Sequence, residues 1–293
     1  MQTLTKIVMQ NFWIGCALWG YKDWVGELFP SGSRSPDFLK LYGERLTAVE
    51  GNTTFYSVPD ADTIARWAAD TPPGFRFCPK FPQQITHRGP LQPKIQLAQQ
   101  FITQMQGLGD RLGPLFAQLP PRYSPAQFTD LALFLTELAE VGVEIALEVR
   151  HLDWFQAPHR DRLHELLIRL QMGRVLLDTR PIYDVPDDPQ LEGDRKKPRV
   201  PVDYSITANF SLIRYISHPH WELNLPFLQD WKPMLNQALQ QHTRIYLFVH
   251  CPVEARSPAN ARSLHQWLGQ QGAIVPPLPW NQLTPPPAQL TLL

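Results

Sequence analysis

The chain has 293 residues, 43% of them hydrophobic, with 27 Lys and Arg set against 27 Asp and Glu. That length suits one large core, and the balanced charge excludes any bulk attraction to nucleic acid or to an acidic membrane surface. Cys16, Cys78 and Cys251 form no CxxC pair, no run approaches the roughly 18 apolar residues of a spanning helix, and the N-terminus lacks a cleavage-site pattern; a soluble cytoplasmic protein with reduced thiols and no membrane partner is expected.

In chain order, Phe12–Cys16 reads as a short apolar strand, followed by an aromatic, glycine-rich segment, WGYKDWVGELFP, that should pack as a lid. Ser35-Pro36 starts a helix, because serine caps free N–H groups and proline fits a first turn that needs none. The stretch AVEGNTTFY, Ala48–Tyr56, is the most informative. In an extended strand Ala48, Glu50 and Asn52 share a face opposite Val49, so the strand carries a carboxylate and an amide to its C-terminal end. A helix is expected over about 62–69, a strand over Phe75–Lys80, and a helix on the apolar stripe from Ile95 to Leu108. Pro114–Leu119 is the fourth strand, Ser124-Pro125 opens a helix, and Glu144–Arg150 is the fifth strand. A helix around Asp161–Met172 stops at Gly173. Arg174–Asp178, Phe210–Ile216 and Arg244–His250 are strands six to eight, with a helix over Pro226–Gln240 and a last one from Ser257-Pro258.

Eight strands alternating mostly with helices over residues 1–293 predict an α/β protein, a single (β/α)8 TIM-type barrel domain with a Pro-rich tail at about 276–293. The exception is Pro181–Asn209, which has five prolines and no apolar periodicity; an irregular crossover is expected between strands six and seven. Such barrels build their sites at the C-terminal strand ends. The last polar residues there are Glu50, Asn52, Lys80, Gln118, Glu148, Arg150, Asp178, Arg214 and His250. Converging, they would make a polar mouth for a phosphorylated or other anionic ligand. Lys80, Arg150 and Arg214 would clamp the anion, with Asn52, Tyr56 and Gln118 as further ligand contacts. Glu50, Glu148, Asp178 or His250 would move a proton, as in a hydrolase or isomerase of a phosphate-containing substrate.

Other readings remain at this level. The same groups would also form a charge-balanced network without chemistry. Glu50, Glu148, Asp178 and His250 suit a divalent metal in a phosphodiesterase-like enzyme, although His250 belongs to no local HxH or HxxxH pair and no cofactor is otherwise implied. A non-catalytic scaffold would bind nucleic acid or a protein through the crossover, whose basic run is Arg195, Lys196, Lys197 and Arg199, with Tyr204 nearby. His87-Arg88 belongs to the same anion-facing group. Cys78 and Cys251 read as packing more readily than as nucleophiles. GxGxxG and GxSxG are absent, which removes a nucleotide loop and an α/β-hydrolase elbow.

The segments IGCALWGYKDWVGELFP, TAVEGNTTFYSVPDADTIARWAADTPPGFRFCPKFPQQITH, LGDRLGPLFAQLPP, ALEVRHLDWF and SPANARSL resemble the YecE-like family, domain of unknown function 72, across nearly the whole chain. The resemblance implies a TIM-type barrel of bacterial or archaeal origin and no established activity. Its TVEINSTFY-like segment falls on Thr47–Tyr56 and so matches Glu50, Asn52 and Tyr56. Its FxxKxP-like segment matches Lys80, with Phe81 before Pro82. Its QLP and E-[FV]-R-H-x-x-W segments fall on Gln118–Pro120 and Glu148–Trp154. The chain departs from the family's TSGW at Cys16–Trp19, from YVRxHG at Ile213–Ser217, where Arg214 is kept, and from paired asparagines at His250 and Cys251. Those departures mark it as a divergent member.

Overall fold

The computed structural model describes residues 10–190 and 197–283. β1 (Phe12–Cys16) pairs in parallel with β2 (Ala48–Gly51) on one side and with β9 (Arg244–His250) on the other. β2 continues to β3 (Arg76–Pro79), while β9 continues to β8 (Phe210–Ile216) and then to β7 (Leu176–Asp178). A second parallel sheet holds β4 (Leu115–Gln118), β5 (Ile145–Glu148) and β6 (Gly173–Arg174) in that order. The fold is therefore α/β with parallel strands, in two sheets rather than one. Their edges adjoin: single bridges link Phe77 to Leu112 and Lys80 to Phe116, and the Phe81 N–H donates to the Phe116 carbonyl at 3.0 Å. The expected sixth strand is split at Val175, whose N–H still donates to Leu147 at 2.9 Å.

Alternation separates the two faces of each strand. Trp13, Ala48, Cys78, Phe116, Ala146, Leu212 and Phe248 belong to one buried cluster, and Trp13 stacks on Tyr246 with ring centres 4.8 Å apart. Ile14, Val49, Phe77, Leu115, Leu147, Ile213 and Leu247 face the other way, into the core shared with the helices. Trp24, Leu28 and Phe29 of the aromatic segment after β1 are buried there too, as a packed lid requires.

Two elements refine the sequence reading and the crossover agrees with it. Thr53–Tyr56 turns helical, because Asn52 already leaves the extended region at φ −66°, ψ −21°. The helix expected over Pro226–Gln240 is two, Leu225–Gln229 and Lys232–Gln240, with Pro233 in the first turn of the second, where its missing N–H costs nothing. The crossover is irregular: beyond the short 3-10 turn Arg180–Ile182, its described residues carry no helix or strand before β8.

Gly15 is where β1 and β2 meet most closely. A Cβ there would lie 1.7 Å from the Ala48 carbonyl oxygen and 2.7 Å from the Tyr42 hydroxyl, which itself bridges the Cys16 N–H and the Ala48 carbonyl at 2.6 and 2.9 Å. Gly15→Ala must push backbone apart, so chemical denaturation should show a loss of at least about 1–3 kcal/mol. A neutral result would mean that the two strands can separate freely.

Candidate functional site

Six of the inward apolar residues are followed, two positions on, by a polar one: Ala48 by Glu50, Cys78 by Lys80, Phe116 by Gln118, Ala146 by Glu148, Leu212 by Arg214 and Phe248 by His250. Period-two alternation thus lifts six polar side chains to the C-terminal ends of the strands on one face. All six are buried.

Arg214 is the hub. Its Nε and Nη2 donate to Oε2 and Oε1 of Glu50 at 2.7 and 3.0 Å, and its Nη1 donates to Oε2 of Glu148 at 2.5 Å. Arg150 Nε donates to the other Glu148 oxygen at 2.6 Å, and its Nη2 to Oε1 of Gln118 at 2.7 Å. Lys80 Nζ donates to that same amide oxygen at 2.8 Å. Asn52 Nδ2 bridges Oε1 of Glu50 at 2.7 Å and the Ala17 carbonyl at 3.0 Å. His250 Nε2 lies 3.0 Å from Oε2 of Glu50.

Burial opposes ionisation of Glu50 and Glu148, but the guanidiniums outweigh it: Arg214 holds Glu50 well below the usual carboxylate range, and Arg214 with Arg150 pulls Glu148 to about 2. His250 is pushed down to about 4 by burial, against the pull of Glu50. It is therefore neutral at pH 7, and facing an ionised carboxylate its Nε2 must carry the proton it donates. Burial, then Arg214, lowers Lys80 to about 7. The two carboxylates and two guanidiniums balance, and the amine is the member without a carboxylate of its own.

These groups line a cavity of about 680 Å³ together with residues that strand alternation does not reveal. His87, from the loop after β3, is held neutral with its pKa lowered to about 4 by burial and by Lys80. Lys197 reaches the cavity from the crossover, where burial and Arg214 lower its pKa. Glu254, after β9, is raised by burial to about 7, and its Oε1 is a buried atom without a hydrogen-bond partner among the described residues. Nothing in the spacing of Lys197 or Glu254 announced this; for Lys197 the hint was the basic run in a crossover without apolar periodicity.

Of the expected site residues, Glu50, Asn52, Tyr56, Lys80, Gln118, Arg150, Arg214 and His250 line this cavity, and Glu148 joins them through the two arginines. Asp178 does not. Val175 sits in the inward cluster and Leu176 in the helix-side core, so Asp178, two positions after Leu176, faces the helices. There Arg180 pairs with it at 2.7 Å and the Trp231 indole donates to it at 2.9 Å. The four groups considered as metal ligands are therefore not gathered, Arg214 standing between both glutamates, and no cluster of three or more His, Cys, Asp or Glu suited to a metal occurs among the described residues. Arg195 and Lys196 lie outside the described residues, while Arg199 pairs with Asp184 at 2.7 Å. Arg88 is exposed and absent from the cavity lining. Burial pushes the Cys78 thiol well up and Cys251 to about 12, which leaves both protonated and weakly nucleophilic at pH 7. No helix among the described residues is long and apolar enough to cross a membrane.

A family model described as protein of unknown function DUF72 matches residues 13–283. Among curated relatives, the UPF0759 protein YecE of Escherichia coli K12 is 33% identical over 255 residues, covering 86% of this chain and 90% of its own. The UPF0759 protein YunF of Bacillus subtilis 168 is 23% identical, covering 80% and 86%. Among solved structures, a DUF72 family protein from Thermotoga maritima MSB8 superposes with a TM-score of 0.64 at 19% identity, covering 89% of this chain and 100% of its own. One from Enterococcus faecalis V583 gives 0.64 at 16% identity, covering 89% and 98%. These two share the fold.

Proposed function

The chain belongs to the DUF72 family, and we propose that the cavity at its strand ends binds a phosphorylated or otherwise anionic small molecule. The two sheets, on this reading, act as one (β/α)8 barrel. Support comes from the isolated bridges Phe77–Leu112 and Lys80–Phe116, at the adjoining edges of the two sheets, and from the direct chain continuity of β6 and β7. The cavity is then its C-terminal mouth, where this architecture builds function. The three buried free cysteines fit a reducing, cytoplasmic setting.

One observation carries the proposal. Lys80 and Lys197 both enter a cavity where Glu50 and Glu148 are already taken by Arg214 and Arg150, and where the remaining carboxyl, Glu254, is raised to about 7. Burial and neighbouring guanidiniums depress both amines, outweighing the pull of the glutamates, as expected of amines without a carboxylate partner of their own. A bound phosphate or carboxylate would supply the missing negative charge. Arg150 is placed to be the outer clamp: its Nε and Nη2 are engaged, and its Nη1 has no partner among the described residues.

Titration calorimetry with inorganic phosphate and small sugar phosphates tests this. Arg150→Ala removes a charge-assisted contact worth about 1.5–3 kcal/mol, so affinity should fall about 10- to 100-fold. Glu148 keeps its bond to Arg214 in that variant, so the fold should survive. Wild-type protein that binds neither phosphates nor carboxylates would overturn the reading.

A further inference from the structure

We propose that Lys80 is the nucleophile of an imine-forming step, and that the ligand is an aldehyde or ketone bearing an anionic group. This rests on the anion-binding reading and adds to it the reacting atom and the substrate class.

The geometry presents the amine as a fixed group at the floor of a cavity. Its backbone is pinned on both sides: the Lys80 N–H donates to the Gly51 carbonyl at 3.2 Å, and the Lys80 carbonyl accepts from the Thr54 hydroxyl at 2.6 Å. Its Nζ sits 4.1 Å from the Phe55 ring centre and 5.8 Å from that of Phe116; these rings favour the ammonium as cation–π partners while they limit its access to water, and burial outweighs them. Its one hydrogen bond goes to a neutral amide oxygen, and neither Glu50 nor Glu148 pairs with it. An ammonium without a carboxylate, in such a wall, gives up its proton readily, and burial brings the amine to about 7. A large fraction is then the neutral base at physiological pH.

The step balances with the groups present. The Nζ lone pair forms a C–N bond to the carbonyl carbon while the C=O π bond breaks; one amine proton moves to that oxygen, giving a carbinolamine. Loss of the hydroxyl, with one proton from an acid, leaves the protonated imine and one water. Glu254, whose carboxyl stands at about 7 on the same cavity, is able to give and retake that proton. Arg150 would hold the anionic group, which fixes the carbonyl relative to Lys80.

Reductive trapping tests the proposal. The folded full chain is incubated with dihydroxyacetone phosphate or glyceraldehyde 3-phosphate, borohydride reduces any C=N bond to a stable amine, and peptide mapping locates the adduct. Labelling is expected on Lys80 rather than on exposed Lys22 and Lys40, and inorganic phosphate should abolish it. Lys80→Arg, with its folding checked by thermal melting, should lose it. If phosphate binds but labelling falls on Lys197 or only on surface lysines, the imine is overturned and the anion site stands. If phosphate does not bind and Lys80 stays unlabelled, both readings fail.

Discussion

Arg214→Ala is expected to lose about 3–5 kcal/mol of folding stability at pH 7, the cost of leaving buried Glu50 without its guanidinium and Glu148 with Arg150 alone. Two carboxylates are involved here, and all three guanidinium nitrogens are engaged. Arg214→Lys should recover only part of the loss, because an ammonium cannot grip Glu50 bidentately and reach Glu148 together. The pH dependence distinguishes this cause from simple loss of packing. In the wild type, Glu148 at about 2 and the similarly lowered Glu50 contribute stability above their unfolded pKa of about 4.3, lost as pH falls towards their folded values. His87 and His250, near 4 when folded, resist protonation that the unfolded chain accepts near 6.5, so they too withdraw stability on acidification. In the Ala variant Glu50 loses the guanidinium that held it ionised and its pKa rises above that of the unfolded chain, while Glu148, still paired with Arg150, rises less. Acid then relieves the variant while weakening the wild type, and the gap between their urea midpoints should narrow from pH 7 to pH 5. A loss under about 1 kcal/mol, constant with pH, would contradict the hub role of Arg214.

The alternation that places Glu50, Lys80, Gln118, Glu148, Arg214 and His250 was readable because each follows an inward apolar residue by two positions. Asp178 shows the limit. Its strand is only Leu176–Asp178, too short to display a period, so taking the last polar residue of the strand selected a group on the opposite face. That carboxylate has structural work of its own, tying Arg180 and Trp231 to the strand end. Lys197 and Glu254 were illegible for a different reason: both sit outside the strands, Lys197 in the irregular crossover and Glu254 in a short 3-10 turn, where position in space follows from tertiary packing rather than from spacing along the chain. Lys197 also stands in a run of charges that reads as a solvated basic loop, yet its side chain is turned into the cavity. The break between the two sheets was equally hidden, since Val175 is as apolar and β-branched as any strand residue.

Anion affinity should fall as pH rises from 6 to 9, by up to about tenfold per unit for each proton the complex holds. Sulfate is the appropriate probe, because its own charge is constant over that range. In the free protein Lys80 stands at about 7; a bound dianion favours the ammonium and raises that value. Binding is therefore strongest below the free value, and it weakens until pH passes the bound one. Glu254, also near 7 in the free cavity, acts in the same direction: once ionised above that pH it repels the ligand. Lys197 is lowered by burial and Arg214, and a bound anion opposes that shift in the same direction. His87 and His250, near 4, are neutral throughout and contribute no slope. Lys80→Met should lower sulfate affinity at pH 6, where the wild-type amine is charged, and flatten the decline above pH 7. Glu254→Gln should flatten it as well while leaving the pH 6 affinity near wild type, because the carboxyl is already neutral there. A wild-type profile flat across pH 6–9 would mean that no proton accompanies the anion, and the cavity's depressed amines would then not be what binds it.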